Sequence, residues 1–154
     1  MKKIDIANAP ARTGSRYPAP HDEPCKARSS KLLADAAGLT QFGVNLVRIP
    51  PGSWSSQRHW HETEDEFVWV VEGELVLVTD AGEELFRAGE CAGFKAGVHD
   101  GHCFQNRSDK DAVILAIGTR SDEDWGEYSD IDMKFWGARY SGKGQYTKKN
   151  GEPI

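Results

Sequence analysis

Two histidines one residue apart, His59 and His61, are followed by an acidic loop and then by Glu66, at the head of the apolar run Phe67-Val68-Trp69-Val70-Val71. In an extended chain, side chains two residues apart point to the same side, so both imidazoles can reach one ion. A second concentration lies downstream in Gly97-Val98-His99-Asp100-Gly101-His102-Cys103-Phe104-Gln105-Asn106; four of the five histidines fall in these two stretches and only His21 lies outside them. Neutral imidazole and carboxylate both offer lone pairs to first-row divalent metals, and three histidines with one carboxylate leave coordination positions open for a substrate. An isolated H-x-H is usually a surface loop. Here the spacing, the following glutamate and the second cluster together favour a metal site.

The elements that must position these residues read mainly as strands. Val44 to Ile49 is β-prone and stops at Pro50-Pro51-Gly52. Phe67 to Val71 and Leu75 to Val78 flank Glu72-Gly73-Glu74 as a hairpin, Asp80-Ala81-Gly82 is the next turn signal, and Val113 to Ile117 supplies a late strand. Val68 and Val70 share parity with Glu66 and should line the interior beneath a metal, whereas Phe67, Trp69 and Val71 face the other way. Both strands of this hairpin are apolar on nearly every position, so the second face also needs cover. Before them, Pro10, Pro18, Pro20 and Pro24 disfavour helix, and Lys31 to Ala37 predicts one short helix ending at Gly38. After Thr119 the chain is acidic, then aromatic and basic; its rings, Trp125, Tyr128, Phe135, Trp136, Tyr140 and Tyr146, are too many for a disordered tail and should pack on the body of the fold. One antiparallel all-β architecture follows.

The segment from Gly52 through His59-Trp60-His61 and Glu66 to Gly73 resembles the first motif of the cupin superfamily: glycine, H-x-H, glutamate, then glycine. The segment from Gly89 through Gly97 to His102 and Asn106 resembles the second, in which a histidine precedes an asparagine by four positions. Six residues rather than five separate Gly52 from His59, Lys95 stands where proline is usual, and His102 lies two residues farther from Gly97 than in the usual pattern, which leaves His99 as a competitor. His102 is favoured because it keeps the spacing to Asn106 and shares parity with Phe104. The resemblance implies a jelly-roll barrel over residues 43–119, with an N-terminal extension at 1–42 and a C-terminal extension at 120–154. It is closest to single-domain bacterial conserved-barrel proteins and sugar-phosphate isomerases, and it implies one divalent transition metal per chain (Fe, Mn, Ni or Zn) held by His59, His61, Glu66 and His102. Cupins of this size commonly form homodimers.

A chain of 154 residues suits one domain. Its net charge of −5 argues against general nucleic-acid binding, and Lys143, Lys148 and Lys149 read as a solvated tail. No apolar stretch is long enough to span a bilayer, and Met1-Lys2-Lys3-Ile4-Asp5 leads into no signal core, so a cytoplasmic protein is expected. Cys25, Cys91 and Cys103 show no C-x-x-C spacing and read as reduced, small apolar fillers.

For substrate contacts, Gln57, Lys95 and Arg48 are the candidates, the two cations because a bidentate or point charge suits carboxylate or phosphate. Parity puts Arg58 on the surface, and Glu64 could replace Glu66 if its loop is bulged. Two function classes fit: a metal-dependent enzyme acting on a small oxygen-rich substrate, by isomerisation or with dioxygen, and a non-catalytic metal-dependent binding or sensing barrel.

Overall fold

The computed structural model describes residues 3–137, 140 and 142–154; Met1 and Lys2 of the leader reading lie outside them. Strands β1 (Ala11–Thr13), β2 (Ser29–Leu32), β3 (Phe42–Ile49), β4 (Glu66–Glu72), β5 (Glu74–Thr79), β6 (Gly82–Arg87), β7 (Cys91–Phe94), β8 (Cys103–Gln105) and β9 (Ala112–Thr119) form two antiparallel sheets. One has the order β1-β2-β3-β9-β4-β7 and the other β6-β5-β8. A third sheet, β10 (Trp125–Glu127), β11 (Lys134–Trp136) and β12 (Gln145–Thr147), follows. Among the described residues no helix is long and apolar enough to cross a membrane.

The core sits between the first two sheets. Val47, Ile49, Val68, Val70, Ala112 and Ile114 face Leu75, Leu77 and Phe104. Leu75 is fully buried; cutting it to alanine would cost about 2–5 kcal/mol, since the removed atoms leave a cavity as well as a lost transfer term. Alternation on β4 is as the sequence predicts: Val68 and Val70 are buried, while Phe67, Trp69 and Val71 are 38%, 48% and 50% exposed on the outer face.

Four expectations need correction. β4 and β5 are not a hairpin: β4 pairs with β7 and β9, and β5 with β6 and β8. Gly73 (φ +77°) carries the chain from one sheet to the other, and a Cβ there would stand 2.8 Å from the Asp111 carbonyl oxygen, so the crossing needs glycine on both counts. The predicted helix over 31–37 shrinks to a single turn, α1 (Leu33–Ala36), because Ser29 to Leu32 pair with Asn45 to Arg48 of β3. Ladder hydrogen bonds to an existing sheet outweigh a weak helix propensity. Gly38 still ends the turn with a φ of +70°. All three cysteines are free, but only Cys25 and Cys103 are buried; Cys91 is exposed opposite Trp69.

Arg58, expected at the surface, is instead largely buried. Its guanidinium donates to Asp130 at 2.7 and 2.9 Å and also to Asp80, pinning the segment after β10 to the body of the fold.

Candidate metal centre

The residues of the first motif precede β4 in a short extended segment that is held on both sides. His59 and His102 exchange backbone hydrogen bonds, His102 N–H to His59 O at 2.9 Å and His59 N–H to His102 O at 3.2 Å. On the other side Trp60 N–H donates to Glu127 O and Glu62 N–H to Trp125 O. Gly126 permits this approach, since a Cβ there would lie 1.9 Å from Trp60 O. The two histidine stretches are therefore joined directly by backbone pairing.

Side chains converge as a result. His59 Nε2 and His61 Nε2 are 3.1 Å apart, and Glu66 Oε2 lies 3.8 Å from the first, 3.5 Å from the second and 2.8 Å from His102 Nε2. His59, His61 and Glu66 bring one donor each within 4.8 Å of one another, and His102 joins through Glu66. Ligands about 2.0–2.2 Å from one ion cannot be farther apart than about 4.4 Å, and every printed separation is shorter than that. His102 is held by stacking on Phe94, 3.6 Å between ring centroids, though its Nδ1 has no partner.

Tautomers provide a sharper test of fit. His59 Nδ1 lies 2.9 Å from the Gln57 backbone carbonyl and His61 Nδ1 lies 2.7 Å from Asp124 Oδ2. Each Nδ1 therefore carries a proton to donate, which leaves a lone pair on each Nε2. Two lone pairs facing at 3.1 Å repel unless a cation stands between them. This is the donor chemistry of a metal site, with the carboxylate behind His61 fixing its orientation.

Electrostatics agree. Burial, and then the adjacent His61, lower His59 to about 3, so its imidazole stays neutral near pH 7. Burial alone would raise Glu66, but its electrostatic interaction with His61, the hydrogen bond from His102 and the neighbouring His102 and His59 rings outweigh it and hold the carboxyl well below its ordinary range. A neutral imidazole and an ionised carboxylate are the ligand forms a divalent ion requires.

Glu64 lies on the opposite side of His61, 3.8 Å from Nδ1, and accepts from Tyr140 OH and Ser121 N–H at 2.8 and 2.7 Å. It belongs to a buried group with Asp124, which also accepts from Thr63 N–H and Oγ1–H. Asp124 was not singled out in the sequence; it sits in the acidic run Asp122-Glu123-Asp124, where nothing in spacing separates it from solvated neighbours. His99 is elsewhere, 2.8 Å from Glu62 and 55% exposed, stacked on Trp60.

Of the three expected substrate contacts, Lys95 lies on a cavity shared with the histidine cluster, and Arg48 and Gln57 do not. Arg48 projects from the outer face of β3 and pairs with Asp111 at 2.7 Å; Gln57 donates to the His21 carbonyl at 2.7 Å; neither lines a described cavity. Lys95 is exposed and lines a small cavity of about 240 Å³ together with His61, Glu66 and His102, three of the four candidate ligands. The large cavity, about 1110 Å³, contains His59, His61, Glu66 and His102 and is also lined by Tyr17, Tyr128 and the arginines Arg12, Arg16, Arg28 and Arg120. Asn106 has a structural part: its amide donates to the Ile49 and Lys110 carbonyls and closes the turn after β8.

Residues 45–118 match the family profile described as Cupin domain. No curated protein matches the chain. Among solved structures, a sugar phosphate isomerase from a cupin superfamily, from Silicibacter pomeroyi, is 46% identical over 99% of this chain and 96% of its own, with a TM-score of 0.94. A protein from Acidithiobacillus ferrooxidans, provisionally named for the same activity, is 27% identical over 83% of this chain and 80% of its own, with a TM-score of 0.74. The polyketide cyclase RemF from Streptomyces resistomycificus, 22% identical over 77% of this chain and 79% of its own with a TM-score of 0.62, shares the fold alone. The jelly-roll sheets, the two histidine motifs in order and the full-length likeness to the Silicibacter protein establish that this chain belongs to the cupin superfamily.

Proposed function

We propose that the protein is a metal-dependent enzyme that isomerises a small phosphorylated sugar, with one divalent ion held by His59, His61, Glu66 and His102. The observation that carries this reading is the pair of Nε2 lone pairs facing one another beside Glu66. The name of the Silicibacter relative supports the choice of sugar phosphate over other oxygen-rich substrates. A divalent ion bound there supplies Lewis acidity to a substrate oxygen, and the open positions suit two neighbouring oxygen donors.

The chain's own residues orient and shield. Asp124 and the Gln57 carbonyl hold two imidazoles in the ligating tautomer. Tyr128, with its ring centroid 5.8 Å from that of His59, and Phe135, 5.0 Å from His61, wall the site from the C-terminal sheet. Tyr17 is pushed well above its ordinary range by burial, so its hydroxyl stays protonated and can donate to a sugar oxygen.

Elemental analysis of protein purified without added metal or chelator should find about one divalent ion per chain. The metal-loaded protein should interconvert an aldose phosphate and a ketose phosphate, and stripping the metal should abolish turnover. Tight metal-dependent binding of sugar phosphates, small carboxylates or phenolic compounds without turnover under any metal would replace the enzyme by a binding barrel. The same reading takes the protein as a homodimer that covers Phe67, Trp69 and Val71; sedimentation should give twice the 17.1 kDa chain mass, and a monomer would refute the pairing.

A further inference from the structure

The described arginines divide sharply by partner. Arg48, Arg58, Arg87, Arg107 and Arg120 each have a carboxylate within 4.0 Å. Arg12, Arg16 and Arg28 form no ion pair among the described residues, although the chain carries 24 acidic residues against 19 basic ones. Arg28 reaches only the Gly14 carbonyl, at 3.3 Å. These three are also the arginines that the N-terminal segment contributes to the lining of the large cavity.

Their placement follows from register. Arg12 of β1 lies opposite Ser30 of β2, which lies opposite Val47 of β3, then Ile114 of β9 and Val70 of β4. Cross-strand partners share a face, so Arg12 stands on the same inner face that carries Val70 and, four residues earlier on β4, Glu66. Tyr17, next in the chain to Arg16, has its ring centroid 5.3 Å from Tyr128, whose ring is 5.8 Å from His59. The cationic rim is thus two ring contacts from the histidines.

Acids in the cavity wall are already committed. Asp35 accepts from Arg120 at 2.6 Å, Glu64 accepts from Tyr140 and Ser121, and Glu66 faces the histidines. Partial burial, and then Arg16 and Arg28, lower the affinity of Arg12 for its proton. Asp35 offsets part of this repulsion but is held by Arg120, so an anion bound among the three cations would remove the rest.

We infer that Arg12, Arg16 and Arg28 form an anion subsite that takes the phosphate group of the substrate while its sugar oxygens reach the histidine cluster. This rests on the sugar-phosphate reading above, but it assigns a different set of residues. Guanidinium forks match phosphate oxygens in pairs, and three of them fit a dianion better than a single carboxylate.

Calorimetric titration with inorganic phosphate at fixed ionic strength tests it. Phosphate should bind both the metal-loaded and the metal-stripped protein, and Arg12→Gln/Arg28→Gln should weaken it about tenfold or more with metal content unchanged. Arg107→Gln, whose wild-type side chain pairs with Glu83 away from the cavity, should leave phosphate affinity as it is. Equal affinity in the wild type and the double variant overturns the subsite, as does binding that vanishes with the metal. Tighter binding of malonate than of phosphate overturns the choice of anion. If the double variant does not fold, Arg16→Gln decides: that exposed side chain has no hydrogen bond or ion pair among the described residues, so weakened phosphate binding supports the subsite and unchanged binding refutes it. Arginine-dependent phosphate binding with no sugar phosphate turned over removes the isomerase and keeps the subsite; turnover with a KM indifferent to the double substitution removes the subsite and keeps the isomerase.

Discussion

The cavity has two unlike poles. At one, each histidine has a hydrogen-bond partner: His59 a backbone carbonyl, His61 Asp124, and His102 Glu66 through Nε2. At the other, Arg12, Arg16 and Arg28 are gathered on an inner rim without a carboxylate partner. The four candidate ligands of the histidine pole lie between residues 59 and 102, within the stretch that matches the Cupin domain, with Asp124 behind them outside it, and the arginine pole comes from residues 12 to 28, also outside it. The difference separates a candidate metal centre inside the Cupin-domain stretch from a local excess of positive charge in the strands that precede it.

The largest effect should come at the first pole. His59→Ala/His61→Ala deletes two donors and should reduce bound metal to near zero, while Arg12→Gln/Arg28→Gln leaves it intact. Elemental analysis of both variants checks the contrast, and metal lost equally from both would merge the two poles into one site. Asp124→Asn should act less drastically. Thr63 N–H and Oγ1–H both donate to Oδ1 of Asp124, so an asparagine would keep its carbonyl there and turn its NH2 toward His61 Nδ1. That forces the imidazole proton onto Nε2, the atom meant for the ion, and should weaken metal binding about 10- to 100-fold. Unchanged affinity in a competition titration would mean that His61 does not need this carboxylate.

Acid should also distinguish the poles. An unfolded histidine takes up its proton near 6.5, whereas His59 in the folded chain does so only at about 3. Between those values the unfolded state binds a proton that the folded state refuses, so the stability of metal-free protein should fall as pH falls, by about 1.4 kcal/mol per pH unit from this group. Arginine keeps its charge across that window. Urea titrations at pH 7, 6 and 5 measure the slope, and His59→Gln should flatten it.

The first pole was legible because its residues are chemically distinctive and stand at strand spacing, and because Val68 and Val70 show which parity points inward from Glu66. Similar parity was available at Arg48, whose neighbours Val47 and Ile49 belong to the core and thereby turn it outward. The second pole was not legible. β1 is three residues long, with no apolar alternation of its own, and exists because β2 offers it a ladder. β2 itself carries residues that read as the start of a helix, and its pairing with β3 is a long-range fact. Asp124 was hidden for a different reason: one buried carboxylate in an acidic run has no sequence signature.

The smallest predicted effect bears on the edge of the first pole, where two histidines compete. His102 is buried, faces Glu66 at 2.8 Å and is clamped against Phe94, while His99 is 55% exposed and pairs with Glu62 outside the cluster. His102→Ala should therefore cost most of the bound metal. His99→Ala should leave metal content unchanged and cost about 1 kcal/mol of stability, because it removes an exposed hydrogen bond with Glu62 and a stacking contact with Trp60, 3.7 Å between centroids. Metal analysis alongside thermal melts separates the two substitutions. If His99→Ala empties the site and His102→Ala does not, the backbone bridge between His59 and His102 only aligns the strands, and the fourth donor must come from the loop that carries His99.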